Sequence, residues 1–370
     1  MKKFFYSLFS LALLFSATSC NEETKELDVT PVLSASADLF VADGEDELVL
    51  TVMAGTIDVT ADAKIYVDYQ VIPGNVFTTT KAKEYKIFAI YNGRNSKNIT
   101  VKAANPALYV ELPEDAQANK FDDFQHKVLL TQATGTWCGY CPAMIRSIEL
   151  FQETSSKAAN TVIVATHSGD GLSNPASEAV VQALKVEGFP SAFFSMNPYI
   201  IVANTGSYEV NAENIHTKAR LELMEDALVG IAAVSETNAD SSVVAVRAAI
   251  KVGQTGSYRV NAWLVEDSVK AVQQSYIADF PTGTIDHNFV LRAASCVSPI
   301  QGKLLGHKET CEQGEVLEFY HEFDAKDADV VNVANCKVVV LVSSTTGSKY
   351  YVNNIIECPV GESVPFAYND

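Results

Sequence analysis

Cys138 and Cys141 stand two residues apart in Trp137-Cys138-Gly139-Tyr140-Cys141-Pro142, between an apolar run and a helical pattern, and this constrains the chain more than any other feature. Val128-Leu129-Leu130 reads as a buried strand leading into the small polar stretch Thr131 to Thr136. After the dithiol, Met144, Ile145, Ile148, Leu150 and Phe151 form a roughly one-sided apolar stripe, and Pro142 falls in the first turn, where a missing N–H costs little. Thr161-Val162-Ile163-Val164-Ala165 supplies the next strand, so the order strand, Cys-x-x-Cys, helix, strand makes a βαβ unit. A cysteine at the first turn of a helix is shifted toward thiolate by unpaired N–H groups and the positive dipole end, which is the chemistry of thiol–disulfide exchange. Structural zinc would need four ligands, and no second Cys-x-x-Cys or His pair at ligand spacing is present.

These residues resemble the thioredoxin superfamily. Gly188-Phe189-Pro190-Ser191-Ala192-Phe193-Phe194 extends the resemblance, which implies that Pro190 is cis and opens a strand opposite the dithiol. The expected site is then Trp137, Cys138, Cys141 and Pro190, with Cys138 the exposed attacking thiolate and Cys141 the buried resolving thiol. Thioredoxins carry a buried Asp six residues before the first Cys, whereas this chain has Gln132, which cannot take a proton. His167, at the end of the next strand, is the candidate for proton transfer. Gly139-Tyr140 resembles the dipeptide of periplasmic disulfide isomerases, which implies a less reducing poise than thioredoxin. A loop from His167 to Pro175, a helix over Ser177 to Val186, and a helix over Ala212 to Leu228 with Ile215, Ala219, Leu223 and Met224 inward complete an expected thioredoxin-like domain over 118–228.

The N-terminus reads as an address. Lys2-Lys3, the apolar Phe4 to Phe15 and the small-residue site Ala17-Thr18-Ser19 form a signal peptide over 1–19. The Cys that follows resembles a bacterial lipobox, which implies that Cys20 is lipidated, with a tether over 20–27. Asn21-Glu22-Glu23 resembles the surface-export signal of Bacteroidetes lipoproteins and points to the outer membrane, at its periplasmic or outer face. No other apolar run is long enough to span a bilayer, so attachment depends on the lipid.

A length of 370 residues predicts two or three domains, and a net charge of −18 argues against nucleic acid or anionic lipid as partner. Short strands with turn punctuation over 28–112, including Asn92-Gly93, predict an immunoglobulin-like β-sandwich. Its acidic cluster Asp43, Glu45, Asp46 and Glu47 has calcium-ligand chemistry, but a solvated loop is the favoured reading. Residues 113–119 read as a linker, and strand patterns over 229–370 predict a second β-sandwich. The expected fold class is therefore multidomain α+β: a thioredoxin-like α/β domain flanked by two β-sandwiches.

Cys296, Cys311, Cys336 and Cys358 allow three pairings. Cys336 and Cys358 are equidistant from Gly347 in an expected hairpin, so Cys336–Cys358 with Cys296–Cys311 is the expected structural set, free thiols or a redox relay being the alternative. The arrangement from about Lys120 onward, with Trp137 to Pro142 and His287-Asn288-Phe289-Val290-Leu291-Arg292-Ala293, resembles the Omp-twenty-eight-related outer membrane lipoproteins of Bacteroidetes. The sequence thus predicts a membrane-anchored thiol–disulfide oxidoreductase without cofactor or metal, acting on extracytoplasmic proteins that carry thiols or disulfides, with an unknown redox partner. The alternative is a non-catalytic adhesion or binding lipoprotein on the same scaffold.

Overall fold

Strand-forming residues dominate the computed structural model, which describes residues 29–346 and 349–369 without the side chains of 345, 346 and 349. The expected signal peptide, tether and lipid site Cys20 lie outside the described residues. The chain divides into two units, one from the described parts of Met1–Ala37, Glu47–Phe77 and Tyr85–Val101, the other from Asp38–Asp46, Thr78–Glu84 and the described parts of Lys102–Asp370.

In the first unit, Leu48–Ala54 pairs antiparallel with Val32–Ala35, Ile57–Asp58 and Val76–Phe77. Period-two alternation puts Leu48, Leu50, Val52 and Ala54 inside. A second group pairs Lys64–Val67 with Lys83–Tyr91, burying Ile65, Val67, Ile87 and Ala89. Asn92 and Gly93 both have positive φ, which a two-residue hairpin turn requires. The acidic loop within Asp38–Asp46, which belongs to the second unit, closes on itself: Asp43 accepts from the backbone N–H groups of Glu45 and Asp46, and Asp46 accepts from Val41.

The second unit begins with β1 (Val128–Thr134), α1 (Cys141–Thr154), β2 (Thr161–His167), α2 (Pro175–Ala183), β3 (Ser191–Phe194), β4 (Ile201–Ala203) and α3 (Tyr208–Glu222). It continues with β5 (Val229–Thr237), β6 (Val243–Val252), β7 (Tyr258–Glu266), β8 (Val269–Gln273), β9 (Gly283–His287) and β10 (Val290–Ala294). It ends with β11 (Lys303–Leu304), β12 (Val316–Asp324), β13 (Cys336–Thr346), β14 (Lys349–Pro359) and β15 (Ser363–Val364). One sheet runs β4-β3-β1-β2-β10-β7-β13-β14, with β11 added beside β7. A second runs β12-β6-β5-β15, and β8 with β9 forms a separate hairpin.

This overturns the expected fold class of a thioredoxin-like α/β domain flanked by separate β-sandwiches. The described residues are mainly strand with three α-helices, and β2 pairs directly with β10 at Ala165↔Val290, fusing the dithiol strands to the C-terminal ones. Their side chains share one core, in which Leu129, Val164 and Phe193 pack with Trp263, Leu291 and Val339. Because successive strand residues point to opposite faces, Val338, Val340 and Val342 of β13 instead meet β5 and β6 of the four-stranded sheet. Both faces of β13 are thus buried, which fits its run of valines.

Two further expectations are corrected. The last helix spans Tyr208–Glu222 rather than 212–228, because Ser207 caps its start by accepting from Val210 and Leu223 is already its C-cap. Ile215 and Ala219 are buried as expected, but Met224 is 70% exposed. Neither expected structural disulfide forms: Cys296, Cys311, Cys336 and Cys358 are all free. Thr346 of β13 pairs with Lys349 of β14, so the hairpin is not centred on Gly347, and the register shifts by one more residue between Val342 and Ser343, so Val338 and not Cys336 stands opposite Cys358. Cys311 bridges to Gly256, while the Cys296 thiol donates to the Ser298 carbonyl at 3.1 Å. Burial pushes the Cys336 and Cys358 thiols up to about 12 and about 11, so both stay protonated at neutral pH.

Candidate functional site

The dithiol lies where β1 turns into α1. Cys138 N–H donates to Gly135 O at 3.0 Å and Cys141 N–H to Cys138 O at 3.2 Å, and this double turn brings the two cysteines together as a disulfide with Cα atoms 5.4 Å apart. Helix α1 opens on Cys141 with Pro142 in its first turn and no acidic residue there, so its positive end is not neutralised locally. The Phe189–Pro190 bond, at the start of β3, is cis. Trp137 is half exposed, donates from Nε1 to Ser168 O at 2.8 Å, and meets Phe189 edge-on with ring centroids 5.4 Å apart. Tyr140, Phe189, Pro190, Tyr199 and Ile201 line an open cleft of about 550 Å³ beside the dithiol.

Cys141 is fully buried, but Cys138, expected to be exposed, is only 4% exposed. Packed along the dithiol loop, 135 residues on, are the last residue of β8 and the arm that follows it. Gln273 Nε2 donates to Cys138 O at 3.0 Å and Gly135 O at 3.2 Å, Gln274 N–H donates to Thr136 O, and Tyr276 N–H donates to Gly139 O, both at 2.8 Å. The arm therefore runs along the dithiol loop and takes up its carbonyls. The Tyr276 ring lies on Gly139, where an added Cβ would fall 2.4 Å from it, and meets Tyr140 edge-on at 5.3 Å. Glycine at 139 is what permits this approach.

His167 is not a loop residue: it ends β2, is 1% exposed, and its Nδ1 lies 2.8 Å from Asp170 Oδ2. Burial opposes the Asp170 charge, but His167 and the N–H groups of Thr136 and Leu172 outweigh it and hold the carboxyl at about 2. Gln132, buried in β1, takes the place expected for an acid and its Nε2 has no partner within the protein. Beside His167 stands His287 of β9, with ring centroids 5.1 Å apart. Burial, and then the nearby His167, push His287 down to about 4. Its folded value lies below the unfolded one, so it contributes stability above pH 6.5 that is lost as pH falls toward 4. The thermal midpoint should therefore drop between pH 7 and pH 4.5, and His287→Leu should make that drop smaller; an identical drop in both proteins would contradict the assignment.

Asp170, Gln273, Tyr276 and His287 carry no recognisable motif spacing to the dithiol, and none was expected in the site. Among the described residues no group of three or more His, Cys, Asp or Glu side chains is placed to hold a metal ion, and no helix is long and apolar enough to cross a membrane.

A family model described as outer membrane protein Omp28 matches residues 177–364, which begin after the dithiol. No curated protein matches the chain. Among solved structures, HBP35 of Porphyromonas gingivalis is similar with a TM-score of 0.52 at 16% identity, over 67% of this chain and 80% of that one. A domain of the outer membrane lipoprotein Omp28 from the same organism matches at 18% identity over 38% of this chain and 90% of that one, with a TM-score of 0.23. The first of these is a likeness of fold alone.

Proposed function

The chain belongs to the Omp28 outer membrane protein family, and from that premise we propose that it is a membrane-anchored, extracytoplasmic thiol–disulfide oxidoreductase. The observation that carries this reading is the Cys138–Cys141 disulfide at the unneutralised start of α1, with exposed aromatic rings and a cleft beside it. In the reduced protein, Cys138 thiolate attacks a substrate disulfide and forms a mixed disulfide. Cys141 then displaces the substrate, which leaves as a thiol while the Cys138–Cys141 bond re-forms. Run backward, the same steps oxidise a substrate dithiol. The half-exposed Trp137 and Tyr140 would give a protein substrate apolar contact around the reacting sulfur. Lipid on Cys20 would hold the catalyst at the membrane.

Insulin reduction and recovery of scrambled disulfides test the reading. The native chain should accelerate both, and a Cys138→Ser, Cys141→Ser protein should return them to the uncatalysed rate. Equal rates for the two proteins would reject it. The second reading, a non-catalytic binding lipoprotein, is favoured by the 4% exposure of Cys138 beneath the arm, and equal rates would support it.

A further inference from the structure

β1 and β2 run parallel, with Gln132 opposite Ala165 and Thr134 opposite His167. All four residues line a cavity of about 50 Å³ against α1, and His287 of β9 joins them. Four polar atoms of this lining are buried and lack a partner within the protein: Gln132 Nε2, Thr134 Oγ1, His167 Nε2 and His287 Nε2. Their residues are all less than 5% exposed. Both imidazoles have the other nitrogen engaged. A carboxylate only accepts, so His167 carries its proton on Nδ1, 2.8 Å from Asp170 Oδ2. His287 donates to the Ala271 carbonyl, and because its Nε2 has no partner, that bond is made by Nδ1. Each ring therefore keeps an Nε2 lone pair that nothing in the protein receives. Water satisfies such a pair of acceptors by donating to them, and a metal cation satisfies it by taking both lone pairs. Two features favour the cation. A carboxylate behind one ring and a backbone carbonyl behind the other are the outer partners that metal-bound histidines use, fixing tautomer and orientation and raising basicity. The spacing also fits, since two imidazoles bound through Nε2 to one tetrahedral ion at about 2.0–2.1 Å have centroids about 5 Å apart, and these centroids lie 5.1 Å apart.

We propose that His167 and His287 bind one first-row transition-metal cation through Nε2, with the Thr134 hydroxyl and solvent completing its shell. The inference stands apart from the exchange reading, since neither cysteine takes part. Imidazole suits zinc and copper, whereas magnesium and calcium take oxygen ligands. Among the described residues no carboxylate or thiolate is placed to join the two rings as a third ligand. A structural zinc site is closed by four protein ligands, so this one is of the open type, with exchangeable positions and copper(II) held more tightly than zinc(II). The exposed residues Gln152 and Asn288 also line the cavity and mark the way in from solvent.

The test uses the untagged protein with the Cys138–Cys141 disulfide intact and carrying Cys296→Ser, so that only buried thiols remain. Calorimetric titrations with Zn²⁺ and with Cu²⁺ at pH 7 should each show one tight equivalent, Cu²⁺ the tighter, and Mg²⁺ should show none. His167→Gln and His287→Gln should weaken both ions by about 10²-fold or more, and Asp170→Asn, which removes only the outer partner, by about 10–100-fold. X-ray absorption of the zinc-loaded protein with both histidines in place should show two imidazoles at about 2.0–2.1 Å. That readout requires no histidine variant to fold. Absence of a tight equivalent for either ion would overturn the inference and leave the cavity to water. So would affinity unchanged in both glutamine variants, or an absorption shell with fewer than two imidazoles, since the ion then sits elsewhere.

Discussion

Replacing Lys251 with alanine should lower the unfolding free energy by about 3–5 kcal/mol, read as a shift of the urea midpoint at constant slope. Lys251 sits on β6 with 2% of its side chain exposed and is ion-paired to Asp115. Its ammonium donates to Gln117 O and Lys120 O, each at 2.9 Å, and to Tyr368 Oη at 3.0 Å. Three rings surround it, with Nζ 4.8 Å from the centroid of Phe121, 5.2 Å from Phe366 and 5.6 Å from Tyr368. Burial works against the Lys251 charge, but its bonds to Asp115 and Tyr368 outweigh that and raise its pKa. Burial likewise opposes the Asp115 charge, and Lys251 with the Gln117 N–H outweighs it and lowers that pKa. The raised lysine contributes below its unfolded value and the lowered aspartate above its own, so the pair acts at full strength across neutral pH and weakens in acid as Asp115 protonates. The truncation also leaves the carbonyls of 117 and 120 without their donor, freeing both the segment before β1 and the C-terminal residues. A loss below about 1 kcal/mol would mean that the cage is no more than a surface ion pair.

That cage marks where the sequence misleads. Residues 113–119 read as a polar linker because they are polar and lack periodicity, yet Asp115 and Gln117 are fastened to a lysine more than 130 residues away. Local pattern does reveal local structure. The apolar run before the dithiol, the stripe from Met144 to Phe151 and the β-branched run from Thr161 fall on β1, α1 and β2, and Asn92-Gly93 falls on a turn. Strand partners are a different matter, since a run of valines is equally suited to either face of any sheet. The pairing Ala165↔Val290, which merges the expected domains, leaves no trace in spacing. Symmetry about Gly347 suggested a Cys336–Cys358 bond, but Thr346 pairs with Lys349, which moves the hairpin centre off Gly347, and the irregularity between Val342 and Ser343 adds the second residue of offset that removes it. The site shows the same division. Cys138 and Cys141 are legible from their spacing, whereas the arm residues Gln273 and Tyr276 and the imidazole of His287 come from a part of the chain whose approach to the dithiol depends on that unpredicted sheet.

Removing the resolving thiol should have the larger effect on chemistry. With Cys141→Ser, Cys138 can still attack a disulfide, but nothing adjacent can displace the product. Attack by a neighbouring thiol is intramolecular, so its loss should lengthen the life of a mixed disulfide by roughly two orders of magnitude or more. The buried thiols Cys311, Cys336 and Cys358 are no substitute, since burial raises each of them and favours the protonated form. The most direct measurement is therefore mass analysis of reduced Cys141→Ser protein after exposure to glutathione disulfide at neutral pH. The expected result is one stable glutathione adduct on Cys138, absent from the native chain, which should return to its internal disulfide. Adducts found on Cys296 with Cys138 unmodified, or equal adduct on Cys138 in both proteins, would contradict the account.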